Sequence, residues 1–250
     1  MTVISDLEKR DARLGQAQDA GEAAVLDALG AHASRLRVRR GQTLALVTGD
    51  DDVVYILRSG ALLVALTLPG LERQVVRLLL PGDVQRSSFV APQAGATLTA
   101  AAHAEIWRLR AGVVDDLAAA DTRLRRFLAA AAAVACAQAS LHLAAIGRLP
   151  GEQRVATALL ELAMRGGQPS PRGGLTLDMP FSRTDIADYL GLNPDTMSRI
   201  MSRFRSAGLL GRSERSRLVL RDVRALAALT PAAGSLAELY GERFGEALDH

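Results

Sequence analysis

Residues 181–210, FSRTDIADYLGLNPDTMSRIMSRFRSAGLL, leave little choice of local structure. Ser182 followed three residues later by Asp185 is close to a capping box, with aspartate where glutamate or glutamine is usual, and predicts a helix start. Ile186, Ala187 and Leu190 then share a face, Gly191 supplies a turn, and Leu192 points back to the core. Asn193-Pro194 predicts a second helix. Asparagine caps the free N–H groups there, and proline at the first helical position lacks an N–H that would be unsatisfied anyway. In that helix Met197, Ile200, Met201 and Phe204 fall inward, while Asp195, Ser198, Arg199 and Arg203 fall outward. Gly208 ends it. Helix, glycine turn and second helix with a polar N-terminal outer face make a helix-turn-helix.

The charge is placed to match. The whole chain carries only about +3. Residues 148–221, however, hold 12 arginines against 7 carboxylates. A phosphate-facing surface needs that excess. Ser182 and Arg183, at a helix N-terminus, are candidate phosphate contacts, as are Arg203, Arg215 and Arg217. There is one cysteine, Cys136, so no disulfide within the chain and no four-cysteine zinc or iron–sulfur site is expected. Cys136 itself reads as an inert buried residue. The first ten residues, MTVISDLEKR, are charged and precede no long apolar run, which is unlike a signal peptide and fits a cytoplasmic protein.

Upstream the pattern changes. Residues 44–47, 53–57, 61–68, 74–79, 96–102 and 105–109 read as strands, separated by turns rich in glycine, proline and aspartate. Strands this short and closely spaced predict an all-β sandwich or barrel. Tyr55 is a candidate core aromatic, and Trp107 is expected at a domain seam. Before the strands, Val25, Leu26 and Leu29 suggest a short helix ended by Gly30. The expected units are an extension over 1–35, a β domain over 36–111, a long helix over 112–148, a DNA domain over 149–221 and a helical tail over 222–250.

The long helix is the segment that resists a simple reading. Residues 127–146 carry no formal charge over 20 positions, close to a membrane span. They are mostly alanine, include Gln138, Ser140 and His142, and are flanked by arginines, so a buried helix of a water-soluble fold is the expectation and no membrane partner is. A break is expected near Asp121. Leu117, Leu124, Phe127, Leu128, Val134, Leu141 and Ile146 lie roughly on one stripe. Small alanines let a second helix approach closely, and the economical partner is the same helix of another copy, giving a two-fold dimer. In the DNA domain, residues 152–165 form an amphipathic helix with Val155, Leu159, Leu162 and Ala163 inward. Residues 175–179 read as a strand, and 209–212 with 217–220 as the hairpin of a wing.

The order β-sandwich, long helix, winged helix-turn-helix resembles the CRP/FNR superfamily of bacterial transcription regulators over about residues 36–229. The run Val54-Tyr55-Ile56-Leu57-Arg58-Ser59-Gly60-Ala61 and the turn Leu80-Pro81-Gly82-Asp83 are similar to its cyclic-nucleotide-binding signature. Arg183-x-Asp185-Ile186-Ala187-x-Tyr189-Leu190-Gly191-Leu192, followed by Asp195-Thr196-Met197-Ser198-Arg199, is similar to the FNR and FixK-like branch. The resemblance implies an α+β fold: a cyclic-nucleotide-binding-like β-sandwich or jelly roll, a dimerisation helix and a C-terminal winged helix-turn-helix. It also implies a homodimeric, non-enzymatic regulator acting with RNA polymerase on palindromic promoter DNA with TTGA-like half-sites. Base reading then falls on Asp195, Ser198 and Arg199. Arginine reads guanine O6 and N7, and a carboxylate accepts from cytosine N4. Asp195 stands where the branch usually has glutamate, one methylene longer.

The nucleotide-binding members follow their turn with a glycine-glutamate pair and a phosphate-holding arginine. This chain has Val84-Gln85-Arg86-Ser87-Ser88-Phe89-Val90, without that glutamate and with Arg86 displaced. No cofactor is therefore expected. The alternative is a regulator of the same family gated by an effector, either a cyclic nucleotide or a gas sensed through haem, for which His32, His103 and His142 are the candidate axial ligands. A metal-dependent cupin would need histidines paired along the strands, and only His103 lies there. A small-molecule module using its helix-turn-helix as a protein interface fits poorly with the arginine-rich outer face.

Overall fold

The computed structural model describes residues 24–46, 52–70, 73–90, 95–171, 173–211 and 217–240. Eight strands form the N-terminal half: β1 (Ser34–Val38), β2 (Thr43–Ala45), β3 (Val53–Ser59), β4 (Leu62–Leu66), β5 (Gln74–Leu79), β6 (Val84–Arg86), β7 (Thr97–Ala100) and β8 (Ala104–Arg110). They make two antiparallel sheets, ordered β1-β8-β3-β6 and β2-β7-β4-β5. Between the sheets lie Val53, Tyr55, Leu57, Leu62, Val64, Leu98 and Ile106.

Both sheets are covered on their outer faces too, which is why β3 and β4 read as continuous apolar runs and not as alternations. Val54 and Ile56 of β3 pack with Trp107 and Leu109 under a helical layer. That layer holds α1 (described over 24–30), α2 (Ala111–Ala120) and the start of α3 (Thr122–Arg148). Trp107 lies at the seam with α1, and a side chain at Gly30 would meet its ring at 2.9 Å. Leu63 and Ala65 of β4 join a different core, shared with α4 (Gly151–Gly166) and α5 (Arg183–Leu190). The DNA domain is thus docked on the second sheet. Its other elements are α6 (Pro194–Ser206) and a small sheet of β9 (Gln168–Pro169), β10 (Leu175–Asp178) and β11 (Arg217–Leu220). Strands β10 and β11 pair antiparallel, and Gly211 N–H donates to Val219 at 2.7 Å, so the wing hairpin is present; residues 212–216 at its tip, including Arg215, lie outside the described residues. The tail supplies α7 (Val223–Ala228) and α8 (Ala233–Tyr240).

Several expectations change. A strand not expected from the sequence, β1, starts at Ser34: it is an edge strand whose Arg35 and Arg37 point outward, so no apolar run marks it. β6, with only three residues, is too short to leave a pattern in the sequence. The expected strands at 61–68 and 96–102 are shorter, ending where the chain turns. Asp121 does break the long helix, accepting from Arg123 N–H at 2.8 Å as the N-cap of α3.

The larger correction concerns α3 itself. In place of the buried helix that its apolarity predicts, only Leu124, Gln138 and Ala145 are buried within the chain. By length and composition it could cross a membrane. Much of the leucine stripe is turned to the same chain. Leu117, Phe127 and Leu128 pack under the β-sandwich, and Leu141 packs on the DNA domain. What stays uncovered is a different line of small residues, Ala129, Ala133, Cys136, Ser140 and Gly147, together with Leu143 at 72% exposure. Cys136 is therefore exposed in the chain, not buried.

Candidate nucleic-acid interface

The helix-turn-helix is built by its caps. Ser182 Oγ accepts from the Asp185 N–H at 3.0 Å, and the Asp185 carboxylate accepts from the Ser182 N–H at 3.0 Å. This reciprocal box contributes about 1 kcal/mol to the start of α5. Gly191 then turns the chain at φ +60°, in the left-handed region that glycine enters without a Cβ clash. Asn193 caps α6 by accepting from the Asp195 N–H at 2.8 Å, with Pro194 in the first turn. Met197, Ile200, Met201 and Phe204 are buried against the domain core, which fixes the rotation of α6 about its axis. The helix ends at Ser206, and Gly208 follows in the left-handed region at φ +78°.

That rotation sets what faces outward. Asp195, Arg199 and Arg203 are exposed, and Ser198 is half-buried. Among the described residues Asp195 and Arg199 carry no ion pair, so both heads are available to a ligand. Arg203 reaches Glu152 at 3.4 Å, with both side chains largely in water. Across the wing, Arg217 meets Asp178 at 3.2 Å, also exposed. Pairs of this kind contribute little and yield readily to a phosphate. Ser182 sits at the N-cap of α5, and its hydroxyl is engaged with Asp185 in the capping box. The N–H groups of Arg183 and Thr184 are the donors left open at that helix end.

Contacts that no local pattern announces hold this unit in place. Arg154 of α4 donates to the carbonyls of Leu149 at 2.7 Å and Leu190 at 3.1 Å, tying α5 to the link after α3. From the β-sandwich, Arg73 reaches Asp185 at 3.2 Å and Asp188 at 3.0 Å, and Gln74 donates to the Asp188 carbonyl. His142 of α3 stacks on Tyr189 with ring centroids 3.8 Å apart and planes 5° from parallel.

His142 gives a pH test of that stack. Burial holds its pKa at about 4, below the usual 6.5. The unfolded chain therefore takes up the proton first, so the contribution is complete above about pH 6.5 and is lost as pH falls toward 4. In denaturant unfolding, His142→Phe is expected to flatten the decline of the midpoint across that window relative to wild type. Identical profiles would mean that His142 is not its source.

On the other side of the molecule, Arg86 is engaged. It pairs with Asp115 through two bonds of 2.9 Å and with Asp52. Burial would raise the Asp52 pKa, but hydrogen bonds from Ser87, Arg86 and Ser88 outweigh it and hold the group at about 2. A cavity of about 290 Å³ beside Arg86 is lined mainly by Val54, Val84, Phe89, Val114 and α3 residues. The candidate haem ligands are scattered: His32 follows α1, His103 sits in the β7–β8 turn, and His142 is stacked on Tyr189. Among the described residues no group of three or more His, Cys, Asp or Glu side chains is placed to hold a metal ion.

The profile of the Crp-like helix-turn-helix domain family matches residues 153–229. The nitrogen fixation regulation protein FixK of Azorhizobium caulinodans is 30% identical over 189 residues, covering 72% of this chain and 73% of that protein. The protein of the same name from Rhizobium meliloti is 32% identical over 189 residues, covering 73% of this chain and 77% of its own. The solved structure of FixK2 from Bradyrhizobium japonicum matches with a TM-score of 0.67 at 30% identity, over 80% of this chain and 98% of that one.

Proposed function

Because the chain belongs to the CRP/FNR family of transcription regulators, in its FixK branch, we propose that it is a homodimeric activator of promoters carrying a palindrome of TTGA-like half-sites. It is a DNA-binding regulator and not an enzyme. Each copy lays α6 in a major groove, with half-site centres roughly 34 Å apart. Arg199 reads guanine, while Ser198 and Asp195 contact neighbouring bases, Asp195 directly or through a water. The open amides of Arg183 and Thr184, with the Arg183, Arg203, Arg215 and Arg217 side chains, hold phosphates. The protein works in the cytoplasm with RNA polymerase as its protein partner.

The observation that carries this reading is the pairing of a free, capped recognition face with an uncovered seam on α3. Ala129, Ala133, Cys136, Ser140, Leu143 and Gly147 are all exposed and are spaced alternately four and three residues apart. That is the 3.5-residue repeat by which two helices supercoil, and small side chains let them come close. We read the protein as needing no effector or cofactor, since Arg86 is committed to two carboxylates. The cavity beside it keeps a second reading in view, in which a ligand gates the dimer.

An electrophoretic shift separates these ideas from nonspecific binding. A palindromic TTGA-type duplex, challenged with scrambled competitor at two salt concentrations, is expected to stay bound by the purified protein without added ligand. Equal loss of both duplexes would end the sequence-specific reading, and binding only after a ligand is added would favour the gated one.

A further inference from the structure

Tyr240 in α8 joins three parts of the molecule. Its hydroxyl accepts from Gln138 Nε2 of α3 at 2.9 Å and donates to Glu161 Oε1 of α4 at 3.2 Å. Glu161 Oε1 also meets Arg165 Nη1 at 3.5 Å, one helical turn on. Arg165 continues the chain into the β-sandwich: it pairs with Asp83 and donates to the Leu78 carbonyl at 3.1 Å. Asp83 is itself fixed by the Leu80 N–H at 2.8 Å, in the tight turn between β5 and β6. A polar path therefore runs from the central helix, through the tail, into the DNA domain and on to the sandwich. Gln138, Glu161 and Arg165 are largely buried, so each link is shielded from water.

The geometry is that of a brace. Only Leu149 and Pro150, both extended, separate α3 from α4. Two such residues do not by themselves set the angle between the helices, which is left to the contacts beyond the joint. Gln138 lies nearly three turns before that joint and Glu161 nearly three turns after it, so the tyrosine ties the two arms well away from the corner. A rotation at the joint turns α6 together with α4, because Ile200 packs beside Gly151 and Arg203 pairs with Glu152 in the first turn of α4.

We propose that Tyr240 is a positioning residue that fixes the angle between the central helix and the DNA domain, and so the half-site spacing that the dimer accepts. This rests on the dimeric DNA-binding reading above. Nothing in the DNA-facing surface involves Tyr240, so the effect is on spacing and not on base preference.

The test compares palindromes of optimal spacing with others one base pair shorter and longer. Tyr240→Phe keeps the ring and removes the hydroxyl, leaving the Gln138 amide buried without its acceptor. Spacing discrimination is expected to shrink about tenfold, with affinity for the optimal palindrome and base preference nearly unchanged. Asp83→Asn, at the far end of the path, is expected to act in the same direction, and the double variant to be little worse than either. A second readout needs no DNA. Nitroxides at Ser59→Cys and Ser206→Cys, in a Cys136→Ser background, are expected to give one narrow intrachain distance in wild type and a broadened distribution in Tyr240→Phe. Undiminished spacing discrimination with an unbroadened distance would overturn the proposal. Wild-type protein with no preference for a palindrome would sink the DNA reading instead, and the label distances would then decide the brace alone.

Discussion

Arg199→Ala is expected to abolish sequence-specific DNA binding while leaving weak, salt-sensitive binding in place. Arg199 is exposed on α6, has no ion pair among the described residues, and belongs to a helix whose rotation is locked by Met197, Ile200, Met201 and Phe204. The substitution therefore costs the fold little, and a loss of function is a loss of contact. One bidentate guanine contact discriminates by about 1–3 kcal/mol. A two-fold dimer loses it twice, roughly 2–6 kcal/mol, or on the order of 30- to 10⁴-fold in the ratio of specific to nonspecific affinity. The remaining arginines keep their phosphate term, so binding to any DNA survives at low salt. The measurement is competition between the palindrome and scrambled DNA. An unchanged specificity ratio would remove Arg199 from the base-reading set.

Leu143→Asp is expected to turn the proposed dimer into a monomer without unfolding the chain. Leu143 is 72% exposed in a single copy, so a carboxylate there meets water and packing is scarcely disturbed. In the proposed dimer the same position lies on the seam, and two carboxylates would face each other across it. Burying unpaired charge costs several kcal/mol, and like charges add to it. Light scattering should report the single-chain mass, with the far-ultraviolet helix signal unchanged, and palindrome affinity should fall at least about 100-fold as the second half-site stops contributing. A variant that stays dimeric at low micromolar concentration would mean that the seam is not the interface.

What could be read from the chain was what is decided within a few residues. Ser182 with Asp185, Gly191 and Asn193-Pro194 announce their caps and turn because the bonds they make are three residues long or shorter. The burial of Met197 and Phe204 follows from helical period alone. β1 was hidden by its outward arginines, and β6 by its brevity. The central helix hides its exposure for a different reason. Its apolarity says that it must be covered, but leucines and alanines look alike in a hydropathy profile. Only the fold separates Leu124, Leu128 and Leu141, turned to the same chain, from Leu143 and the small residues left over. The supports of the interface were out of reach altogether. Arg73 and Asp185 are 112 residues apart, and neither side chain is unusual where it stands.

The docking of the DNA domain on the second sheet bears on how this protein can be taken apart. Leu63, Ala65, Val75 and Leu78 share one core with Leu159, Ile186 and Leu190. The units that succeed one another so cleanly along the chain are not modules in the folded state. A fragment cut at Leu149 would carry every residue proposed to read bases, yet it would lay bare the apolar side that normally rests on β4 and β5. Its behaviour would describe a sticky remnant and not the regulator, and the sandwich left behind would have the same defect on its own side. The reader and the sandwich therefore have to be studied as one folded body.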